Sequence, residues 1–340
     1  MYFVYHAYDL VMEVDKEVKV IREDLLPFDL RKGVVDYHKF IIWMSRRISN
    51  LQRTYMNKLY IQRRVGRSHD AIIADSAAIS PVDLFWITKE TFNHNWDSLQ
   101  EKRDKSLIVK QASLDGEIAS EFIFKKQEKL DYTSNFTTKG AFKKSIYNGY
   151  IVKKGDNAEY EISGYRIANH LNISCAQSHL QGDEVYCKLF TSNRYSMVHA
   201  MELFYHVDEE YSDDIHKKAL EYFSEQKHII KDLKYLYLLM YLVSNYDFHG
   251  ENFGFLYDTR TFEIKNVAPA YDFNSAFMTD TNPEIFYPEI LQILPSIVHK
   301  NLHLNRQLKT IGEILDKDEF LSEKSKETIL IRADYLLQMN

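Results

Sequence analysis

Two aspartates and one asparagine have the types and spacing that phosphoryl transfer requires. Asp247 and Asn252 lie five positions apart within residues 245–252, and Asp272 follows within residues 268–273. Phosphoryl transfer needs a carboxylate that orients the attacking hydroxyl or accepts its proton, and oxygen ligands that hold magnesium against the phosphates. We therefore predict that Asp247 is the base and that Asn252 and Asp272 bind Mg²⁺, which prefers hard oxygen ligands.

The elements on either side of this loop strengthen the prediction. Asn and Asp are frequent in turns because they tolerate unusual backbone angles, so their spacing alone is weak evidence for catalysis. An apolar stretch from Ile229 to Val243 predicts a buried helix before the loop, and Phe253 to Val267 predict a β-hairpin after it. A loop between two such elements, with Tyr-Asp-Phe after the hairpin, favours the catalytic interpretation.

His249 stands two residues after Asp247 and has two interpretations. It contacts phosphate or the catalytic carboxylate, or it makes a structural hydrogen bond, and the sequence leaves both open. A metal-binding role is disfavoured because no second His or Cys stands at ligand spacing.

A short stretch of small residues, predicted to lie between two strands, is a candidate for contacting phosphate with its backbone amides. It contains a single glycine, so a plain turn between strands is the alternative. The residues predicted to contact the nucleotide in this loop are Thr138, Lys139, Gly140 and Ala141.

Phosphoryl transfer also needs a cation that neutralises phosphate charge. Residues 150–152 predict a strand that ends in Lys153 and Lys154. Because side chains alternate across a strand, we choose Lys153 over Lys154 as the residue that faces the nucleotide. A glutamate of the next predicted helix, Glu161 or Glu159, would hold this lysine in place.

The elements that must position these residues predict an α+β fold. Residues 1–105 form an N-terminal accessory region with short strands and a basic helix. Residues 106–190 are rich in predicted strands around one helix, and residues 191–340 are mostly helical. We predict a two-lobed, protein-kinase-like fold, with a small strand-rich N-lobe, a larger helical C-lobe and a cleft between them.

The charge distribution is uneven. The net charge of −6 over 340 residues argues against non-specific coating of nucleic acid by the whole molecule. From His38 to His69, however, there is no acidic residue, and a helix is predicted over residues 37–65. This helix has two interpretations: it is a surface that binds nucleic acid or an acidic partner, or it is a solvated face that pairs with acids elsewhere in the protein. The cations of this stretch are Lys39, Arg46, Arg47, Arg53, Lys58, Arg63, Arg64 and Arg67.

The two cysteines, Cys175 and Cys187, have no metal-binding spacing and are interpreted as packed thiols in a reducing compartment. The longest apolar stretch, residues 236–243, is too short to span a bilayer. The N-terminal residues lack the order of a signal peptide. We predict a cytoplasmic protein without membrane association, and secretion into a host by a route without such a peptide stays open.

Three motifs in this order resemble the HipA-type serine/threonine kinases of bacterial toxin–antitoxin pairs and their compact, CtkA-type proinflammatory relatives. The motifs are Thr-Thr-x-Gly-Ala-x-x-Lys at 137–144, Asn-x-Asp-x-His-x-x-Asn-Phe at 245–253 and Ala-Pro-x-Tyr-Asp-Phe at 268–273. The resemblance covers about residues 130 to 290. The N-terminal 100 residues do not resemble the usual N-terminal part of that family.

The resemblance implies roles for individual residues. It supports the roles given above for Asp247, Asn252, Asp272 and Lys153, and it places His249 and Tyr271 near the nucleotide. Several family members autophosphorylate a serine of the phosphate loop, and since Thr137 holds that place here, the resemblance makes Thr137 a candidate for autophosphorylation. The residues implied to form the hinge beside adenine are Lys188, Leu189 and Phe190.

The sequence therefore predicts an ATP- and Mg²⁺-dependent serine/threonine protein kinase of the toxin type. Its partners would be a protein substrate and an antitoxin, with nucleic acid as a further candidate for residues 39–67. Two alternatives stay open. One is a small-molecule phosphotransferase of the aminoglycoside or choline kinase type, and the other is an inert kinase fold that acts as a nucleic-acid-binding regulator.

Overall fold

The computed structural model describes residues 1–47, 68–91, 94–103, 144–155, 157–209, 214–280 and 282–339, together with Lys110 and Leu114. These residues form a mixed α and β structure with three separate antiparallel sheets. Two predicted segments lie outside the described residues. They are the phosphate loop with Thr137 (residues 137–141) and residues 48–67 of the predicted basic helix.

The first sheet belongs to the N-terminal region and has the strand order β3-β2-β1-β4. Residues 1–26 contain an apolar alternation that predicts one pair of strands, whereas the structure contains three strands there. The fourth strand comes from the apolar residues around Trp86; it pairs with β1 and is buried on both faces. The strands are β1 (Tyr2–His6), β2 (Asp9–Val14), β3 (Val18–Val20) and β4 (Phe85–Lys89).

Three helices pack around or follow this sheet: α1 (Tyr37–Arg47), α2 (His69–Ser76) and α3 (Trp96–Arg103). Helix α1 contains the described part of the basic stretch. Arg46 donates to the Val207 carbonyl at 2.7 Å, and Arg47 forms a two-pronged ion pair with Asp83 at 2.7 and 2.8 Å. These contacts agree with internal pairing for the end of α1. Lys39, at the start of α1, donates to the Val34 carbonyl at 3.1 Å. The remaining five cations, Arg53, Lys58, Arg63, Arg64 and Arg67, lie outside the described residues.

The second sheet has the order β5-β6-β8-β7 and carries one helix, α4 (Tyr160–His170), as the sequence predicts. Asn148 and Gly149 join its first two strands, and both have positive φ (49° and 78°), which suits a two-residue hairpin turn. The strands are β5 (Lys144–Tyr147), β6 (Tyr150–Lys154), β7 (Ser178–Gln181) and β8 (Glu184–Lys188).

The third sheet joins the candidate loops to the N-terminal region. It consists of β9 (Tyr195–His199), β10 (Gly254–Asp258) and β11 (Ile264–Val267), in the order β11-β10-β9. The predicted hairpin is confirmed, and its tip carries Phe262 (φ 55°). This ring lies 5.8 Å from the ring of Phe28 and 6.3 Å from that of Phe85, so the tip packs into the N-terminal core.

The remaining described residues are mainly helical. Helix α7 is buried on all sides from Leu236 to its end at Leu242, as its sequence predicts, whereas Lys227, His228, Lys231 and Asp232 in its first half are exposed. No helix among the residues described is both long and apolar enough to cross a membrane. The helices are α5 (Ala200–Phe204), α6 (Ile215–Tyr222), α7 (Lys227–Leu242), α8 (Pro288–Leu291), α9 (Leu294–Lys300), α10 (Leu302–Lys309), α11 (Gly312–Leu315) and α12 (Glu323–Gln338).

Candidate active site

One cavity of about 360 Å³ contains every predicted site residue that the structure describes. It lies where the second sheet, the loop after α7 and the segment after β11 meet. A more open groove of about 930 Å³, lined by Arg31, Lys32 and Tyr222 among others, contains none of them. The predicted residues that line the smaller cavity are Lys153, Glu161, Lys188, Leu189, Phe190, Asp247, His249, Asn252, Tyr271 and Asp272.

Lys153 is buried at the centre of a polar cluster. Its Nζ donates to Glu161 Oε1 at 2.5 Å, to Asp272 Oδ1 at 2.9 Å and to Asn274 Oδ1 at 2.6 Å. Burial lowers the pKa of Lys153, but the carboxylates of Asp272 and Glu161 outweigh it and hold that pKa above its usual value. The lysine is therefore charged at neutral pH.

The neighbouring lysine points away from the cavity. Lys154 is about one third exposed, and its Nζ pairs with the exposed Asp183 at 3.2 Å. The alternation along β6 thus separates the two lysines as the sequence analysis expects. Of the two glutamates considered there, Glu161 meets Lys153, and it does so from the first turn of α4.

Asp272 is fixed through both its side chain and its backbone. Its φ of 64° is uncommon for a residue other than glycine, and its carbonyl accepts a hydrogen bond from Asn245 Nδ2 at 3.4 Å. Burial raises the pKa of Asp272, but the charges of Lys153 and Lys144 outweigh it and hold that pKa below its usual range. The carboxylate is consequently ionised at neutral pH, as a metal ligand must be.

Helix α4 is tied to the residue that follows Asp272. The Phe273 amide donates to Glu161 Oε1 at 2.9 Å, so one glutamate oxygen serves both Lys153 and this backbone. A Cβ on Gly164, one turn further along α4, would lie 2.6 Å from the Phe273 ring. Glycine at this position therefore permits the close approach of helix and ring.

The loop of residues 245–252 holds itself in shape mainly through backbone groups. Asn252 Nδ2 donates to the Asp247 carbonyl, and the Asn252 amide donates to the His249 carbonyl at 2.8 Å. A Cβ on Gly250 would lie 2.4 Å from Ile215 Cδ1, so the loop also packs tightly on α6. The Asp247 side chain is 53% exposed, which leaves it accessible from solvent.

His249 lies beside the predicted base. Its Nε2 is 3.5 Å from Asp247 Oδ1, and its Nδ1 accepts a hydrogen bond from the Glu251 amide at 3.2 Å. The geometry thus supports both interpretations that the sequence leaves open, since His249 contacts the carboxylate and also braces the loop.

Tyr271 and the predicted hinge residues lie on the same side of the cavity. The Tyr271 hydroxyl lies 3.2 Å from both the Glu251 carbonyl and His199 Nδ1, and burial raises the pKa of this tyrosine. The Phe190 ring lies 5.8 Å from the Tyr271 ring. The Leu189 amide donates to the Gly149 carbonyl at 2.9 Å, which fixes the chain as it leaves β8.

The donor set fits magnesium better than a transition metal. Asp272 and Asn252 supply a carboxylate and an amide oxygen, and Mg²⁺ commonly takes one or two protein ligands and completes its shell with phosphate and water. Within the described ranges, no group of three or more His, Cys, Asp or Glu side chains could hold a metal.

Sequence reasoning missed two polar residues of this region. Asn274, which accepts a hydrogen bond from Lys153, lies two residues after Asp272, and its place directly after the motif of residues 268–273 was the signal that could have revealed it. His216 is fully buried, and its ring stacks on those of Phe248 and Phe253 at centroid distances of 5.1 and 5.3 Å. Its Nε2 donates to the Phe248 carbonyl at 3.0 Å, so this histidine supports the loop from α6.

The chain matches one protein family. The family described as the HipA-like C-terminal domain matches residues 103–325. No curated protein was matched.

Two similar solved structures cover different shares of the chain. HipA of Shewanella oneidensis MR-1, solved with HipB and operator DNA, is 13% identical and has a TM-score of 0.56, with 100% of both chains covered. The proinflammatory kinase CtkA of Helicobacter pylori is 20% identical and has a TM-score of 0.39, with 57% of this chain and 88% of that chain covered. The first similarity indicates a shared fold.

Proposed function

This chain belongs to the family of HipA-like C-terminal domains, and we propose that it is an ATP-dependent serine/threonine protein kinase of the toxin type. One observation carries the proposal. The buried group of Lys153, Glu161 and Asp272 and the accessible loop with Asp247 and Asn252 open into the same cavity. A buried cation beside an ionised carboxylate, opposite an exposed carboxylate, is the arrangement that phosphoryl transfer uses.

In this proposal each residue has one task. Lys153, held by Glu161, contacts the phosphates, and Asp272 with Asn252 holds the metal. Asp247 orients the acceptor hydroxyl or receives its proton, which its exposure permits. Bound Mg²⁺ would neutralise charge that develops on the phosphates. The residues proposed to contact the rest of the nucleotide are Thr138, Lys139, Gly140, Ala141, Lys188, Leu189, Phe190, His249 and Tyr271.

The proposal includes a two-lobed arrangement. We place the N-lobe at residues 106–190 and the C-lobe at 191–340, with residues 1–105 as the N-terminal region. The division is supported by the position of the cavity, which lies between the second sheet and the loops next to the third sheet.

A protein acceptor is favoured over a cationic small molecule. A phosphotransferase for cationic substrates would need an excess of acidic side chains around its acceptor. The cavity lining instead contains cations such as Lys144 and Arg46 as well as acidic residues such as Glu202 and Glu251. The lining as a whole therefore does not select a cationic acceptor.

The direct test is transfer of label from γ-labelled ATP with Mg²⁺, on the purified chain alone and with a cell lysate. We expect label on the chain or on a lysate protein with the wild type and with Lys154→Ala, and none with Asp247→Ala. ATP binding without protein labelling would favour a small-molecule acceptor. Equal labelling by wild type and Asp247→Ala would refute the site assignment.

Two regulatory features belong to the same proposal. Thr137 is the proposed autophosphorylation site, and Thr137→Ala should remove label from the chain while leaving transfer to a lysate protein. An antitoxin is the proposed partner, since the similar HipA structure contains HipB and operator DNA. Nucleic-acid binding by residues 39–67 would show an affinity that falls steeply with salt.

A further inference from the structure

Part of the cavity wall comes from the N-terminal region. Ser80, Pro81, Val82 and Asp83, which precede β4, line the cavity together with the hinge candidates. We propose that residues 80–83 complete the pocket for the nucleotide base, so that the N-terminal region is part of the nucleotide site and not a detachable accessory. This inference rests on the kinase function proposed above and adds a binding surface to it.

The segment is bonded directly to the chain that follows β8. Thr191 Oγ1 donates to the Pro81 carbonyl at 2.8 Å, and the Met197 amide of β9 donates to the Val82 carbonyl at 2.7 Å. Two successive carbonyls of the N-terminal region are therefore held by residues on either side of a single turn. Such bonds fix the distance between Val82 and the hinge before any ligand arrives.

A buried ion pair and a strained stretch of backbone also hold residues 80–83 in place. Arg47 binds both carboxylate oxygens of Asp83 and also donates to the Ala78 carbonyl at 3.1 Å. Ala77 and Ala78 both have φ of 50°, a left-handed conformation that alanine rarely adopts. Consecutive strained residues persist only where the surroundings dictate the conformation, which is common beside binding sites.

The strand register places this wall at the end of the cavity remote from Lys153. Lys153 pairs with Val185 across β6 and β8, and Leu189 follows four residues later along the same strand direction. At about 3.3 Å per residue, Leu189 lies about 13 Å beyond the phosphate-binding candidate. The apolar side chains of Pro81, Val82 and Met197 line the cavity there, beside the polar Ser80 and Asp83, and could pack on the flat face of a base.

The experiment measures binding of ATP and of adenosine by calorimetry, which needs no transfer activity. In Val82→Trp the added ring fills the base end, and we expect both ligands to bind at least about tenfold more weakly. Lys153→Ala, at the other end, should weaken ATP binding while leaving adenosine unchanged. This crossed pattern separates the base end of the cavity from its phosphate end.

Two further variants guard against a folding artefact. Val34→Trp makes the same change at an N-terminal position that is 81% exposed and does not line the cavity, and it should bind both ligands as the wild type does. Val82→Ala only trims a half-buried side chain. It should weaken ATP and adenosine by the same factor, about three- to tenfold.

Each outcome has one meaning. Unchanged adenosine binding in a folded Val82→Trp and in Val82→Ala would overturn the inference while leaving the kinase proposal intact. Failure of the wild type to bind either ligand would overturn the proposed nucleotide site itself. Equal losses for both ligands in the Val82 variants, with normal binding by Val34→Trp, would establish the N-terminal wall.

Discussion

The two halves of the candidate site differ in how they are held. Lys153 and Glu161 are almost fully buried and bonded to each other, whereas the side chains of Asp247 and His249 are about half exposed. The buried half is organised by charge pairs and the exposed half by backbone hydrogen bonds. The difference suits the proposed reaction, because phosphate charge is best met in a dry site while an acceptor must enter from solvent.

The largest expected effects on transfer are those of Asp272→Ala and Asp247→Ala. Both should lower transfer by at least about a hundredfold. Only Asp272→Ala should also destabilise the fold, by about 2 kcal/mol, because it removes one of the carboxylates that compensate the buried Lys153. Thermal unfolding measured beside the labelling assay checks this contrast. Equal stability losses in the two variants would show that the halves do not differ.

The two lysines of β6 give the next comparison. Lys153→Ala should weaken ATP use by about tenfold or more, since it removes a buried charge next to the phosphates. Lys154→Ala removes only a surface ion pair, so its effect on stability should stay below about 1 kcal/mol and its effect on transfer near zero. Steady-state rates at varied ATP concentration test both variants. The reverse order would mean that Lys154 faces the nucleotide.

Gly164→Ala tests whether α4 positions the buried half. The new Cβ would lie 2.6 Å from the Phe273 ring, so helix or ring must shift, which should cost about 1–3 kcal/mol. Because Glu161 lies on the same helix, transfer should also fall, by a smaller factor than in Lys153→Ala. Gly312→Ala is the matched control, since its Cβ would meet nothing closer than 3.7 Å. Similar behaviour of the two variants would show that α4 does not position the buried half.

The smallest expected effect concerns the stability contributed by His216, the buried histidine that supports the exposed half. Burial lowers the pKa of His216 to about 4, whereas an unfolded histidine titrates near 6.5. Between these values the unfolded chain binds more protons than the folded one, so stability falls as the pH is lowered from about 6.5 to about 4. We expect His216→Phe, which keeps an aromatic ring between Phe248 and Phe253, to show a shallower pH dependence of unfolding. An unchanged slope would assign the acid sensitivity to other groups.

Local patterns were sufficient to predict the elements that hold the site. Alternation along β6 correctly separated Lys153 from Lys154, and apolar periodicity predicted α7 and the hairpin that follows it. These elements are determined by residues that are close together in sequence, so a single sequence is sufficient to predict them.

The missed features depend on contacts between distant residues. His216 lies 32 residues before the Phe248 carbonyl to which it donates. The residues next to His216 in the sequence do not distinguish it from any other polar residue of a helix. The contact of Val82 with Met197 spans more than a hundred residues, so the N-terminal wall had no local signal. The pairing of β4 with β1 was missed for the same reason.

The hairpin of β10 and β11 behaves in mechanical terms as a strut fixed at both ends. Its base carries the loop of residues 245–252 on one side and Asp272 on the other, and its tip, Phe262, is wedged among Phe28 and Phe85. A strut that is clamped in this way transmits displacement instead of absorbing it. A displacement of the N-terminal sheet would therefore move the segments that carry Asp247 and Asp272 together.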